Sequence, residues 1–280
     1  MKKIFMLLVV ALLANSSLWA FKREIVTIHS DAMNKDINAT VILPDGYKRA
    51  KKLPTVYLLH GFSGNYKEWD ELGKASPLAD KHNVIIVMTD GGYDSWYWDS
   101  PVVPTNRYET FISKEVVEYI DSHYKTIADR SGRAIAGLSM GGHGALYLAI
   151  RHQDTYGAAG SMSGGVDIRP FPRNWGMSKW IGTIAENPQN WEDYTVINMI
   201  DRLKPNHTRL IIDCGTEDFF YKVNCNLHAK LLEAKIPHDF YVRPGAHNWA
   251  YWRNSIKFQL LFFANFFEEG RAAEQKTTKK

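Results

Sequence analysis

The chain has 280 residues, a formal net charge of +4, 45% hydrophobic residues and 23% charged residues. This is the composition of an ordinary globular protein, which excludes a disordered or fibrous chain, and a charge so close to balance points to no polyanion such as a nucleic acid as partner. The length suits one large domain with a sizeable core.

The first twenty residues stand apart. Lys2 and Lys3 precede an apolar run from Ile4 to Ala14, followed by Asn15-Ser16-Ser17 and the small residue Ala20. This is the layout of a secretory signal peptide over 1–20, with cleavage expected after Ala20 although Leu18 is larger than ideal at the third position before it. The run is too short to span a bilayer, and no cysteine follows to take a lipid, so export to the periplasm or the medium without membrane insertion is expected.

From Phe21 to Glu269 no repeat, linker or low-complexity stretch interrupts the chain, which reads as one domain. Glu24 to Ile28 and Ala39 to Leu43 are rich in β-branched residues, and Pro44-Asp45-Gly46 closes the second, which marks two candidate edge strands. Short apolar runs follow at Thr55 to Leu59, Val84 to Met88, Ala134 to Ala136 and Leu210 to Ile212, and such runs suit parallel strands covered on both faces. Helical patterns alternate with them over Phe111 to Tyr124, Met140 to Arg151, Val223 to Ala234 and Ser255 to Phe267. The expected fold is therefore α/β, a mostly parallel doubly wound sheet with antiparallel N-terminal edge strands and helices on both faces, whose functional groups gather at the carboxyl ends of the strands. The least regular stretch, 164–191, carries prolines among tryptophans and reads as an insertion over the site. The end of the chain, 270–280, is basic and reads as a flexible tail.

Gly137-Leu138-Ser139-Met140-Gly141 follows an apolar strand and opens a helical pattern, the context a G-x-S-x-G nucleophile turn requires. A serine hydroxyl needs a base to take its proton and a carboxylate to orient that base. Among ten histidines, His247 stands in a loop between a strand pattern, Phe240 to Arg243, and the final helix. Asp218 lies just beyond the strand at Leu210 to Ile212, with Glu217 and Asp213 as rival carboxylates. The chain order Ser139, Asp218, His247 is that of α/β-hydrolases. An oxyanion developing on the substrate needs N–H donors, assigned to Met140, directly after the serine, and to Phe62, in the loop after the strand ending at Leu59-His60-Gly61. No metal or organic cofactor is required, and no histidines pair at metal-ligand spacing. Cys214 and Cys225 would form a bridge in an oxidising compartment or remain as two buried thiols, and the sequence leaves both open.

The stretches Tyr57 to Asn65, Gly137 to Gly142, Cys214 to Asp218 and Pro244 to Trp249 together resemble the esterase D-like esterases of the α/β-hydrolase fold. That group includes short-chain (tributyrin-type) esterases, S-formylglutathione hydrolases, feruloyl and acetylxylan esterases, and mycolyltransferases. The resemblance implies a serine hydrolase acting on carboxylic esters through the same triad. It also places the region of Asp90-Gly91-Gly92 and Trp96 to Ser100 beside the site. Export and aromatic content together resemble esterases that remove acetyl or feruloyl groups from plant polysaccharides, with His60, Gly61, Trp96, Trp98, Trp175 and Trp249 as candidate substrate contacts. Transfer of an acyl group to a sugar hydroxyl, and a non-catalytic carbohydrate-binding role on the same fold, are the two alternatives.

Overall fold

The structure, a computed structural model, describes residues 21–205 and 207–277. The expected signal segment and the last three residues lie outside the described residues. The first two strands, β1 (Lys22–Ser30) and β2 (Lys35–Leu43), form an antiparallel hairpin. Then β3 (Thr55–Leu59), the helix α1 (Ser76–His82), β4 (Ile85–Thr89), α2 (Val116–His123) and β5 (Arg133–Leu138) follow. The chain continues through α3 (Met140–Arg151), β6 (Ala158–Met162), α4 (Met177–Ile181), α5 (Pro188–Asp193) and β7 (Arg209–Gly215), and ends with α6 (Tyr221–Glu233), β8 (His238–Arg243) and α7 (Trp249–Thr277). The eight strands make one sheet in the order β1-β2-β4-β3-β5-β6-β7-β8, antiparallel at β1, β2 and β4 and parallel from β4 to β8.

Apolar runs without alternation arise because both faces of the sheet are covered. Val56 and Leu58 of β3, Ile86 and Met88 of β4, and Ala134 and Ala136 of β5 face the layer holding α1 and α7, where they meet Trp252, Ile256, Leu260 and Phe263. The intervening Tyr57, Leu59, Ile85, Val87 and Ile135 face the layer of α2 and α3, against Val116, Ile120, Leu146 and Ile150. This two-residue alternation is the pleat of the strand expressed as two cores.

The strand β6 escaped the sequence reading. Its Ala-Ala-Gly-Ser-Met run has little strand propensity, yet it lies mid-sheet between β5 and β7. The small side chains follow from close approach: a Cβ on Gly160 would stand 1.8 Å from Gln259 Oε1 and 3.0 Å from Phe263 Cζ of α7. Two further differences concern helices. The final helix runs from Trp249 to Thr277, longer than the expected 255–267, so the stretch read as a flexible tail is helical as far as Thr277. The pattern at Phe111 to Tyr124 contains a wide π turn over Phe111–Glu115 before α2.

Asp213 of β7, a rival for the catalytic carboxylate, is instead a structural tie. Fully buried, it accepts from the Arg243 guanidinium of β8 and the Tyr251 hydroxyl of α7. The Arg243 guanidinium in turn lies 4.0 Å over the Phe258 ring. Asp213→Ala would leave a largely buried guanidinium without its counter-charge, and the expected loss of stability is about 3–5 kcal/mol, measurable by urea unfolding.

Candidate active site

Ser139 occupies the turn between β5 and α3 at φ 54° and ψ −119°, outside the regions L-residues favour. Close chain crossings surround it: a Cβ on Gly141 would lie 2.4 Å from the Leu59 carbonyl oxygen and 2.5 Å from that of His60, so only glycine admits the end of β3 there. The Ser139 N–H donates to Met162 O at 2.9 Å, and the Ser139 carbonyl accepts from His143 N–H at 3.0 Å and Gly165 N–H at 3.3 Å. These bonds lock the serine's backbone while its hydroxyl projects from the carboxyl edge of the sheet.

The three expected residues converge. His247 Nε2 lies 2.9 Å from Ser139 Oγ, and His247 Nδ1 lies 2.8 Å from Asp218 Oδ2. A carboxylate only accepts, so it selects the imidazole tautomer with the proton on Nδ1, leaving Nε2 to accept from the serine hydroxyl. The Asp218 side chain is fully buried, and its other oxygen accepts from Phe220 N–H at 2.8 Å. Glu217 is exposed and holds the loops together through its backbone N–H, which donates to Gly245 O at 2.9 Å. A second backbone bond, Thr216 N–H to Arg243 O at 3.0 Å, laces the Asp218 loop to the His247 loop. Asn248 Oδ1 caps α7 by accepting from Tyr251 N–H at 3.1 Å, which fixes where the His247 loop ends.

The loop after β3 lies directly against the serine, since a Cβ on Gly61 would stand 3.4 Å from Ser139 Cβ. Phe62 follows in this loop, and Met140 opens α3, where helix geometry leaves the first N–H groups without intrahelical acceptors. His60 has its own part in this arrangement. Buried at the end of β3, its Nε2 accepts from Gly91 N–H at 2.8 Å, so the proton sits on Nδ1 and donates to Gly61 O at 2.8 Å. Burial lowers its pKa and keeps the ring neutral. The histidine thus orders the loop, with both ring nitrogens engaged within the protein.

The tryptophans divide. Trp96 and Trp98 are buried against each other and against His143, which removes them as open sugar-stacking faces; they wall the core behind the site. Trp249 is half-buried, edge-on to Trp69 and Trp252. Trp175, partly exposed, stacks on Phe219 with ring centroids 5.6 Å apart, and Phe219 lies 4.2 Å from the His247 ring. Phe219 and Phe220 went unnoticed in the sequence, though they follow Asp218 directly; Tyr93, 63% exposed and packed edge-on against Phe62, was also missed. Both cysteines are free thiols, and burial pushes the Cys214 thiol pKa up. Among the described residues, no cluster of three or more His, Cys, Asp or Glu side chains could hold a metal ion, and no helix is long and apolar enough to cross a membrane.

Comparison with known proteins places the chain among esterases. Residues 30–263 match the family model described as "Putative esterase". An esterase of Mycobacterium tuberculosis is 30% identical over 262 residues, covering 82% of this chain and 55% of its own. The chain thus spans about half the length of that relative. The diacylglycerol acyltransferase/mycolyltransferase Ag85B of Mycolicibacterium smegmatis is 30% identical over 241 residues, covering 72% of this chain and 74% of its own. Among solved structures, a ferulic acid esterase superposes with a TM-score of 0.75 at 30% identity, covering 88% of this chain and 99% of its own.

Asp218→Asn retains the shape of the site while removing the charge that selects the histidine tautomer. Turnover of p-nitrophenyl acetate is expected to fall by about three to four orders of magnitude, with an unfolding midpoint close to that of the unsubstituted protein.

Proposed function

The chain belongs to the esterase family, and from that membership we propose that it is an exported serine esterase that cleaves carboxylic esters through an acyl-enzyme. The observation that carries the reading is the unbroken hydrogen-bond chain from Ser139 Oγ through His247 to Asp218. In this reading Ser139 Oγ attacks the ester carbonyl while His247 Nε2 takes its proton. The negative charge growing on the carbonyl oxygen is met by the N–H groups of Met140 and Phe62, which need no reorganisation as the charge forms. His247 then protonates the departing alcohol, and a water activated by the same imidazole releases the acid.

Two features support a short acyl or a feruloyl or acetyl group carried on carbohydrate. The stacked pair Trp175 and Phe219 offers a flat apolar surface beside the imidazole, suited to an aromatic acid or a sugar face. The ferulic acid esterase superposes over almost its whole length. Export rests on the charged, apolar and small-residue order of the first twenty residues.

Transfer to a sugar hydroxyl is the second reading, favoured by the likeness to the mycolyltransferase. Water access decides between the two. Phe219 is 51% exposed although it touches the catalytic imidazole, a mouth open enough to admit water, and this favours hydrolysis.

Ser139→Ala is expected to lower kcat for p-nitrophenyl acetate by about four to six orders of magnitude and to abolish labelling by a fluorophosphonate probe. Near-normal turnover in that variant would refute the assignment. Trp175→Ala is expected to raise KM for methyl ferulate several-fold more than for p-nitrophenyl acetate, and an equal effect on both would argue against an aromatic subsite. Product analysis with added sugar acceptor separates the two readings, since a dominant transfer product would overturn hydrolysis.

A further inference from the structure

His143 lies one helical turn after Ser139 and touches neither His247 nor Asp218 by hydrogen bond, yet its side chain is completely buried and both ring nitrogens are engaged. Trp98 Nε1–H lies 2.9 Å from His143 Nε2. An indole N–H only donates, so Nε2 must accept and the proton must reside on Nδ1, which lies 2.9 Å from the Gly165 carbonyl oxygen and donates to it. Protonation of the ring would break the Trp98 bond, and burial opposes it by holding the pKa down to about 4.

Gly165 closes a loop of contacts back onto the serine. Its N–H donates to Ser139 O at 3.3 Å, and the backbone N–H of His143 donates to the same oxygen at 3.0 Å. One residue therefore reaches the Ser139 carbonyl directly through its own amide and indirectly through the residue its ring restrains. Trp96 covers the other side of Gly165, since a Cβ there would meet its ring at 2.9 Å, and Trp96 Nε1–H donates to Trp175 O at 3.2 Å. Phe219, stacked on Trp175, completes the circuit to the His247 ring.

We propose that His143 is a positioning residue for the nucleophile: as a neutral ring with its proton on Nδ1, oriented by the Trp98 indole, it clamps Gly165 and so holds Ser139 in its strained backbone conformation within reach of His247. The proposal rests on the reading of Ser139 as nucleophile. It accounts for a polar ring at a helix position otherwise packed with apolar side chains, where a leucine or phenylalanine would fill the space but leave Gly165 O and Trp98 N–H without partners.

Three variants and one spectrum test it. His143→Leu is expected to lower kcat and the rate of fluorophosphonate labelling by about 10- to 100-fold, with KM changed less than about twofold, the scale of one or two lost buried hydrogen bonds. His143→Gln, which offers one donor and one acceptor, is expected to recover at least a third of wild-type kcat. Trp98→Phe, which deletes the indole donor, is expected to lower kcat about 3- to 10-fold and carries the test if the leucine variant does not fold. In the unsubstituted protein the imidazole nitrogen-15 resonances of His143 are expected to report a protonated Nδ1 and an accepting Nε2. A folded leucine variant with wild-type kcat and labelling rate would overturn the proposal, as would glutamine no better than leucine or a proton found on Nε2. Failure of the underlying reading looks different: the unsubstituted protein would not label at Ser139 at all, and both inferences would fall together.

Discussion

A serine held at φ 54° is the constraint around which this molecule is arranged. A non-glycine residue in such a conformation costs on the order of 1–3 kcal/mol and persists only where its surroundings over-determine it. Here the surroundings come from three strands and one loop. β5 leads into the turn, the end of β3 crosses above Gly141, β6 supplies the Met162 carbonyl that accepts from Ser139, and the loop after β6 supplies Gly165. Every one of these strands is buried on both faces, so the rigidity of the sheet reaches the serine with little slack.

The same economy governs the histidines of the site. His60, His143 and His247 each face one partner that has a single hydrogen-bonding role: the Gly91 amide, the Trp98 indole and the Asp218 carboxylate. That partner decides which nitrogen carries the proton, and the other nitrogen is thereby committed. Two of the rings are buried and spend both nitrogens on the protein. His247 alone is partly open, and its second nitrogen points at a hydroxyl. What separates the proposed base from the two braces is exposure and the partner left for Nε2, since the side chains are chemically the same.

The aromatic wall beside His247 is built differently. The aromatic groups of the 164–191 segment and the Phe219–Phe220 pair meet through ring contacts, while the proposed triad is held by hydrogen bonds and backbone lacing. Ring contacts tolerate exchange of one apolar face for another more readily than a hydrogen-bond network tolerates loss of a partner. This aromatic wall can therefore change its side chains without disturbing the bonds that hold the serine.

What the sequence determined by itself was local and patterned. The alternation of buried strands and helices, the antiparallel start, the glycine-flanked serine and the order of serine, aspartate and histidine are all legible because periodicity and turn chemistry act over a few residues. Tertiary structure decided what depends on neighbours distant in the chain. Asp213 and Asp218 sit five residues apart in like surroundings, and only the packing of Arg243 and Tyr251 onto the first and of His247 onto the second assigns one to structure and the other to the site. β6 is a strand because its partners hold it there, against its own propensity. Trp96 and Trp98 stand as candidate substrate contacts until the fold turns them inward, and nothing near His143 in the chain signals that Gly165 and Trp98 close on its ring. Burial and hydrogen-bond partnership are properties of pairs brought together from far along the chain, which is why no single stretch of residues reveals them.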